Sequence, residues 1–471
     1  MNKSTISLGL LGAMFVALAL AWIFNGQGVI KDDDGRELSI PKTLDIPLQI
    51  RAAYNGERIF FQYRWPADRP GIHFDVYKYE GGKWVEYGED KPGPQNHVFL
   101  EDRVAMMVDD GGVPEFAHYG GFVTIGGGLD SFSNAATGKE VEAHPYLGKD
   151  KKQKAVTKYL PLTRERPEDW ASVVPVERLN TLRKAGYFLD LWHWRGHRSN
   201  VLEFSDDQNI AEMRAGDPGK NGWSTNWDKD KKQPKYMFDP ARSGRIANNW
   251  QDLASGKIGQ DDPYYLSDTT KTEFDPTQPW KEGDVLPKRY LRAYEGSMAD
   301  IRTVGGRGRW KDGFWEVTLS RLMDTGDVLN DKIFTEGKMY NVAFAVHRHS
   351  TGRRWHYVSL PVSLGLSREA ELGAQRFEGE VPQWNQAWHT AKLFYPGQVN
   401  WPLLISKRHP GQPMIKEGIP VKHYHNEHQL SHYGIEIEFL KEIQQQWRLT
   451  LFAGLFMFVG VGFGLCRLQR N

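Results

Sequence analysis

The chain has 471 residues, long enough for two or three domains, with 13% aromatic residues that include 17 Trp. Lys plus Arg (60) balances Asp plus Glu (59), so no global field favours a polyanion, and the composition argues against a nucleic-acid partner. The single Cys, Cys466, excludes a disulfide framework, a Cys-based zinc site and two-thiol attachment of a c-type haem within the chain.

Residues 4–30 carry no charge, and the run 6–24 is apolar enough to cross a bilayer core. It ends on bulky Trp22, Ile23 and Phe24 rather than on a small-x-small cleavage site, which points to an uncleaved anchor over residues 1–30. Polar residues 31–37 form a linker. Strand-like pieces follow at 46–53, 58–65, 73–79, 83–87 and 97–108, separated by turn signals such as Asn55-Gly56 and Glu80-Gly81-Gly82. Within 58–65 the period is two, with Ile59, Phe61 and Tyr63 on one side. A comparable block returns at 289–294, 313–321, 339–348 and 355–364, and the stretches 111–167 and 201–288 between the blocks read as long insertions. The soluble region, 31–422, is therefore expected to be a mainly β, antiparallel β-sandwich with long insertions.

The densest stretch is 186–200, with two Trp, two His and two Arg beside an apolar run. Strand alternation sets Leu189, Leu191 and His193 on one face and Phe188, Trp192 and Trp194 toward the other, an arrangement suited to lining a slot for a planar cofactor. Helical spacing marks 175–185 and a juxtamembrane segment, 423–448. Residues 449–466 are again uncharged, framed by Trp447 and Arg448 before and Arg467 and Arg470 after, and make 449–471 a C-terminal transmembrane helix and tail. Lys3, Arg467 and Arg470 put both ends in the cytoplasm under the positive-inside rule, leaving the main domain outside, in the periplasm of a bacterial inner membrane. Gly454, Gly460, Gly462 and Gly464 suit close approach of another helix.

The segment Leu189-Asp-Leu-Trp-His-Trp-Arg-Gly-His-Arg-Ser-Asn200, followed by Asp206-Asp207, resembles the haem-binding domain family of the ethylbenzene dehydrogenase γ subunit. Weaker similarities lie at Glu101-Asp-Arg-Val-Ala-Met-Met107, Val113-Pro-Glu-Phe-Ala117, Val342-Ala-Phe-Ala-Val346 and Arg354-Trp-His-Tyr-Val-Ser-Leu360, so the likeness covers roughly residues 45–365. The resemblance implies a β-sandwich holding one non-covalent haem b and passing electrons between a catalytic unit and an acceptor. It also implies an axial pair of methionine and late-strand lysine. His356 matches the lysine position here, and the methionine has no secure counterpart. Residues 120–128, Gly-Gly-Phe-Val-Thr-Ile-Gly-Gly-Gly, stand where some relatives carry a c-haem motif, so a covalent haem is not expected there.

Candidate iron ligands are His356, His193, Met107 and His118, with Trp192, Trp194, His197 and Arg354 as further cofactor contacts; Arg353 and Arg354 could pair with propionates. Met106 and Met107 are adjacent on a strand, so at most one faces a given pocket. Each histidine can equally be a satisfied residue on a sheet face, and each Met a core filler. His423, His425, His428 and His432 could hold a metal or form an exposed polar neck. Gly126–Gly128 and Gly305–Gly308 lack a nucleotide-binding fingerprint, and no hydrolase elbow or zinc-protease motif is present.

These features point to a membrane-anchored periplasmic haem b protein, an electron-transfer subunit rather than a catalyst, partnered by a redox protein or membrane oxidoreductase subunit. Three alternatives stay open: a carbohydrate-binding sandwich using Trp192, Trp194, Trp65 and Trp84 as a platform, a structural subunit without cofactor, and a gas-sensing haem protein.

Overall fold

The computed structural model describes residues 3–25, 43, 45–88, 99–130, 132, 135–348, 356–396, 399–407, 409, 412–417 and 440–468. Its contacts define two units, Met1–Asp33 with His432–Asn471, and Asp34–Ser431.

The first unit holds α1 (Lys3–Asn25) and α2 (Leu440–Leu468). Among the described residues one segment, Gln444–Arg467, is long and apolar enough to cross a membrane, and the apolar part of α1 is the shorter Gly9–Leu20. Among the described residues the expected span at each end is thus corrected to one, at the C-terminal end. A Cβ added at Gly460 would meet Met14 Sδ at 2.0 Å, and one at Gly464 would meet Leu11 at 3.4 Å, so the absence of side chains there is what lets the two helices touch.

The second unit is built on a 14-stranded sheet. Its main strands are β1 (Asp45–Tyr54), β2 (Arg58–Pro66), β3 (Arg103–Asp109), β4 (Leu189–Arg195), β5 (Asp206–Ile210), β6 (Phe314–Leu322), β7 (Met339–His347), β8 (Tyr357–Ser359), β9 (Val362–Leu366), β10 (Leu372–Arg376) and β11 (His389–Phe394). The order runs β6-β2-β1-β10-β9-β7-β3-β4-β5, with β8 beside β7 and β11, and β11 beside β1. The sheet is mixed, not purely antiparallel as expected, since β10 runs parallel to both β1 and β9. The chain leaves β9 through Ser367 in the left-handed region (φ 51°) and re-enters the sheet in the same direction.

Alternation explains how the two halves of this sheet face each other. Phe61, Tyr63 and Trp65 of β2 and Trp315 of β6 point inward, where they meet Trp192, Trp194 and Phe344 of β4 and β7 with ring centroids 5.2 to 6.2 Å apart. Met106 joins this core, accepting a hydrogen bond from Tyr63 Oη at 3.3 Å. Trp65, Trp192, Trp194 and Trp315 are among the largest fully buried side chains, and burying apolar surface stabilises the fold by roughly 25 cal/mol per Å² removed from water. Gly196 follows β4 because a Cβ there would lie 2.5 Å from Gly71 O.

The expected insertions form a second layer. The helix Phe116–Tyr119, the 3-10 turn Gly120–Thr124 and the helix Trp401–Leu404 pack on the outer face of β7-β3-β4 through Val113, Phe122, Val399 and Leu404. The long insertion after β5 contributes Asn248–Asn249 and Asp284–Pro287 to a four-stranded sheet completed by Val76–Glu80 and Lys83–Tyr87, from the segment between β2 and β3. Trp84 packs against Phe274 and Trp280 of this insertion. With Trp65, Trp192 and Trp194 at most 1% exposed, the carbohydrate-platform alternative is corrected, because stacking on a sugar needs rings open to solvent.

Candidate functional site

The outer face of β7, β3 and β4 is ruled by register. His347 pairs with Arg103 and Arg103 with Arg195; Ala345 pairs with Ala105 and Ala105 with His193; Ala343 pairs with Met107 and Met107 with Leu191. Paired residues project to the same side, so these three rows form a floor that passes from cationic through small to apolar along the strands. Three alanines at its centre leave it flat.

The insertions stand off this floor and enclose a cavity of about 560 Å³, within the ~300–1,000 Å³ range of cofactor sites. Phe122, Ile125, Leu129, Phe132, Val358 and Val399 line its apolar side, and Gly121 brings backbone to within van der Waals reach of Met107 Sδ, a built Cβ lying 3.7 Å away. At the other end stand Arg195, Arg198 and Arg214, joined by Trp223, Lys288 and Arg289 from the insertion after β5.

Glu101 organises the cationic end. Its carboxylate accepts from Arg198 Nε at 2.7 Å and from the backbone N–H groups of His197 and Arg198 at 3.0 Å, with Arg103 Nε 3.3 Å away. Burial pushes this carboxyl up, but the Arg198 and Arg103 guanidiniums outweigh burial and hold it at about 2. Arg195 forms an ion pair with Asp206, which also accepts from Tyr294 Oη at 2.6 Å. Burial, then the neighbouring Arg103 and Arg198, lower Arg214 to about 10. Arg195 is driven well down by burial, Arg198 and Arg214.

Three imidazoles reach the cavity: His193, His347 and His356. His193 is 5% exposed, and its Nδ1 accepts from Arg195 Nη2 at 3.2 Å and from Arg214 Nη2. A guanidinium can only donate, so Nδ1 keeps its lone pair and the neutral ring carries its proton on Nε2. Burial, then Arg195 and Arg214, keep the ring neutral by moving its pKa well down. Nε2 is buried without a partner. A histidine that binds iron through Nε2 needs the opposite tautomer, with Nδ1–H held by an acceptor.

Met107 also faces the cavity. His118 and His197 do not. His118 lies on the helix Phe116–Tyr119 beside Tyr119, and His197, 1% exposed, turns away from the floor after Gly196 and binds Ile72 O through Nδ1 at 2.8 Å. Trp192 and Trp194 are corrected as cofactor walls, since alternation turns them into the core, away from the face that carries His193. Arg354 and the His423–His432 cluster fall outside the described residues. Sequence reasoning missed His347, Arg195, Arg214, Lys288 and Arg289; only Arg195 had a local signal, sharing strand parity with His193.

Behind β4 lies a separate polar cluster. Arg321 binds Asp190 at 2.6 Å, Asp331 at 2.8 Å and Asp207 at 3.3 Å, all at most 1% exposed. The carboxylates come close enough to one another to resemble a metal site, but the guanidinium is their cation.

A mixed β-sheet that floors an amphipathic, cofactor-sized cavity is the class defined by these features. The ethylbenzene dehydrogenase family model matches residues 22–359, and the chain belongs to that family. It is also similar to cytochrome c-552 of Stutzerimonas stutzeri, 28% identical over 104 residues, which are 21% of this chain and 33% of that protein. The match therefore spans about a third of the cytochrome's length.

Proposed function

We propose that this chain is a haem b protein that transfers electrons and does not itself catalyse a reaction on a substrate. The observation that carries the reading is the floor gradient, from the His347–Arg103–Arg195 row to the Ala343–Met107–Leu191 row. A planar macrocycle with apolar edges and two carboxylates matches a flat surface that is cationic at one end and apolar at the other. Family membership and the likeness to a cytochrome support the same reading.

Of the four candidate ligands, His118 is off the cavity and His193 holds the wrong tautomer, so Met107 and His356, which line the cavity, would hold the iron. Met107 offers a thioether from the apolar row, and His356 an imidazole from the start of β8. Bound haem would supply one-electron exchange at iron. The protein would hold it without covalent bonds, keep water from its apolar side through Phe122, Ile125 and Val399, and set its potential through ligand choice and burial. The segment Gln444–Arg467 would anchor the protein in a bacterial inner membrane with the main unit in the periplasm, where a redox protein or membrane oxidoreductase subunit is the partner.

Expression of the full chain with ample haem supply tests this. The expected result is a Soret band and a six-coordinate reduced spectrum lost in both Met107→Ala and His356→Ala. Purified, folded protein with no stoichiometric haem would overturn the reading.

A further inference from the structure

We propose that the cationic end of the cavity is a clamp for the two propionate carboxylates of the haem, charged by Arg214 and Arg289 and completed by Nε2–H of His193. This deepens the haem reading above and rests on it.

Charge pairing at this end is incomplete. Arg103 and Arg198 share Glu101, Arg195 has Asp206, and Lys288 lies 3.0 Å from Asp75 and also meets Glu86. Among the described residues, neither Arg214 nor Arg289 has a carboxylate in ion-pair contact. Arg214 donates to the neutral Gln208 Oε1 and His193 Nδ1, and Arg289 donates to Thr225 Oγ1 while its Nε is buried without a partner. Six cations thus stand against four carboxylates, and the excess of two equals the charge of a porphyrin dicarboxylate. Guanidiniums left unpaired in a low-dielectric site are strongly unfavourable, so an anion is the natural completion. Burial first, and then crowding by neighbouring guanidiniums, lowers the basicity of Arg195 and Arg214.

His193 supplies the second line of argument. Its ring is aimed into the cavity with Nε2 protonated and unpartnered, so this atom is a donor waiting for an acceptor rather than a lone pair waiting for iron. Charge-assisted hydrogen bonds from guanidinium to carboxylate are the strong kind. The clamp would also fix which way the ring enters, with its carboxylates under the insertion after β5, which contributes Trp223 and Arg289.

The test uses the full chain stripped of haem and titrated with protohaem IX and with its dimethyl ester, which keeps the ring and iron but removes both charges. The unmutated chain is expected to bind the diacid at least about tenfold more tightly than the ester. Arg214→Met and Arg289→Met should each lose most of that preference while binding the ester as before. Saturating inorganic phosphate should weaken the diacid and leave the ester untouched. His193→Phe should weaken the diacid yet keep the six-coordinate spectrum. Equal affinity of the unmutated chain for diacid and ester overturns the clamp and leaves the haem reading standing, and this comparison holds even where a variant fails to fold. Binding of neither porphyrin overturns both. Loss of six-coordination in His193→Phe would return His193 to the role of axial ligand and sink the donor assignment.

Discussion

His347 and His356 stack with ring centroids 4.8 Å apart and planes 18° from parallel. The cause is register: Val346 pairs with Tyr357 across β7 and β8, so the residue after one meets the residue before the other on the cavity side. His347 in turn lies 6.4 Å from His193. One imidazole face therefore braces another, and His347 acts on His356 by limiting how its ring can turn.

Replacing His347 with Ala should loosen this brace without removing a ligand. A ring-stacking contact contributes about 1 kcal/mol, so haem affinity should fall about fivefold while the reduced α band keeps its position. Absorbance titration of the full chain reads both quantities. A spectrum that changes as fully as in His356→Ala would make His347 the ligand instead.

If Met107 holds the iron as proposed, Met107→His should lower the midpoint potential, because imidazole stabilises ferric iron better than a thioether does. A drop on the order of 100 mV is expected from the ~0.8 V span that axial ligands command. Potentiometric titration measures it. An unchanged potential would remove Met107 from the axial position.

Much of this arrangement was legible in the sequence, and the limits were physical. Alternation separated Leu191 and His193 from Trp192 and Trp194, yet both faces of β4 are buried, so period alone could not tell core from cavity. The same parity argument split Met106 from Met107, and only the fold assigned Met106 to Tyr63 and Met107 to the cavity. Arg214, Lys288 and Arg289 come from the edge strand after β5 and from the long insertion that follows it, where no local pattern signals a shared site. The Arg321 cluster was equally hidden, since its partners Asp190 and Asp207 lie 131 and 114 residues away in the chain.

Arg321 holds three buried carboxylates, so Arg321→Met should be among the most damaging substitutions in the protein. Removing one partner of a buried ion network costs roughly 3–5 kcal/mol, and three buried carboxyl groups would lose the guanidinium they share. Urea unfolding of the full chain in detergent, followed by Trp fluorescence, should show a correspondingly lower midpoint. Arg321→Lys should recover only part of the loss, because one ammonium cannot reproduce the planar fork that reaches Asp190 through one nitrogen and Asp331 through the other. Full recovery by Lys would mean that charge alone, not geometry, holds the cluster.

The same cluster sets a pH dependence with a definite sign. Burial, opposed by Arg321, raises Asp190 to about 6, and burial together with Asp331 raises Asp217 to about 8. Asp207 is also raised well above its ordinary value, first by burial. Groups whose carboxyls hold protons more tightly when folded stabilise the native state below their unfolded value near 3.8 and lose that contribution as pH rises through about 6 and then about 8. These residues therefore favour the mildly acidic side of neutrality, opposite to carboxylates paired like Glu101, whose contribution is lost only as pH falls toward about 2. Asp217→Asn keeps the hydrogen-bonding shape near Asn209 and removes the upper titration. The variant should lie nearest the unmutated chain at or below about pH 3.8, where Asp217 is protonated in both states, and be more stable near pH 8.5, by on the order of a few kcal/mol. Thermal melts across that range separate the outcomes: a variant that is equally or less stable at the alkaline end would show that folding does not raise the Asp217 carboxyl and that the cluster accommodates its charge.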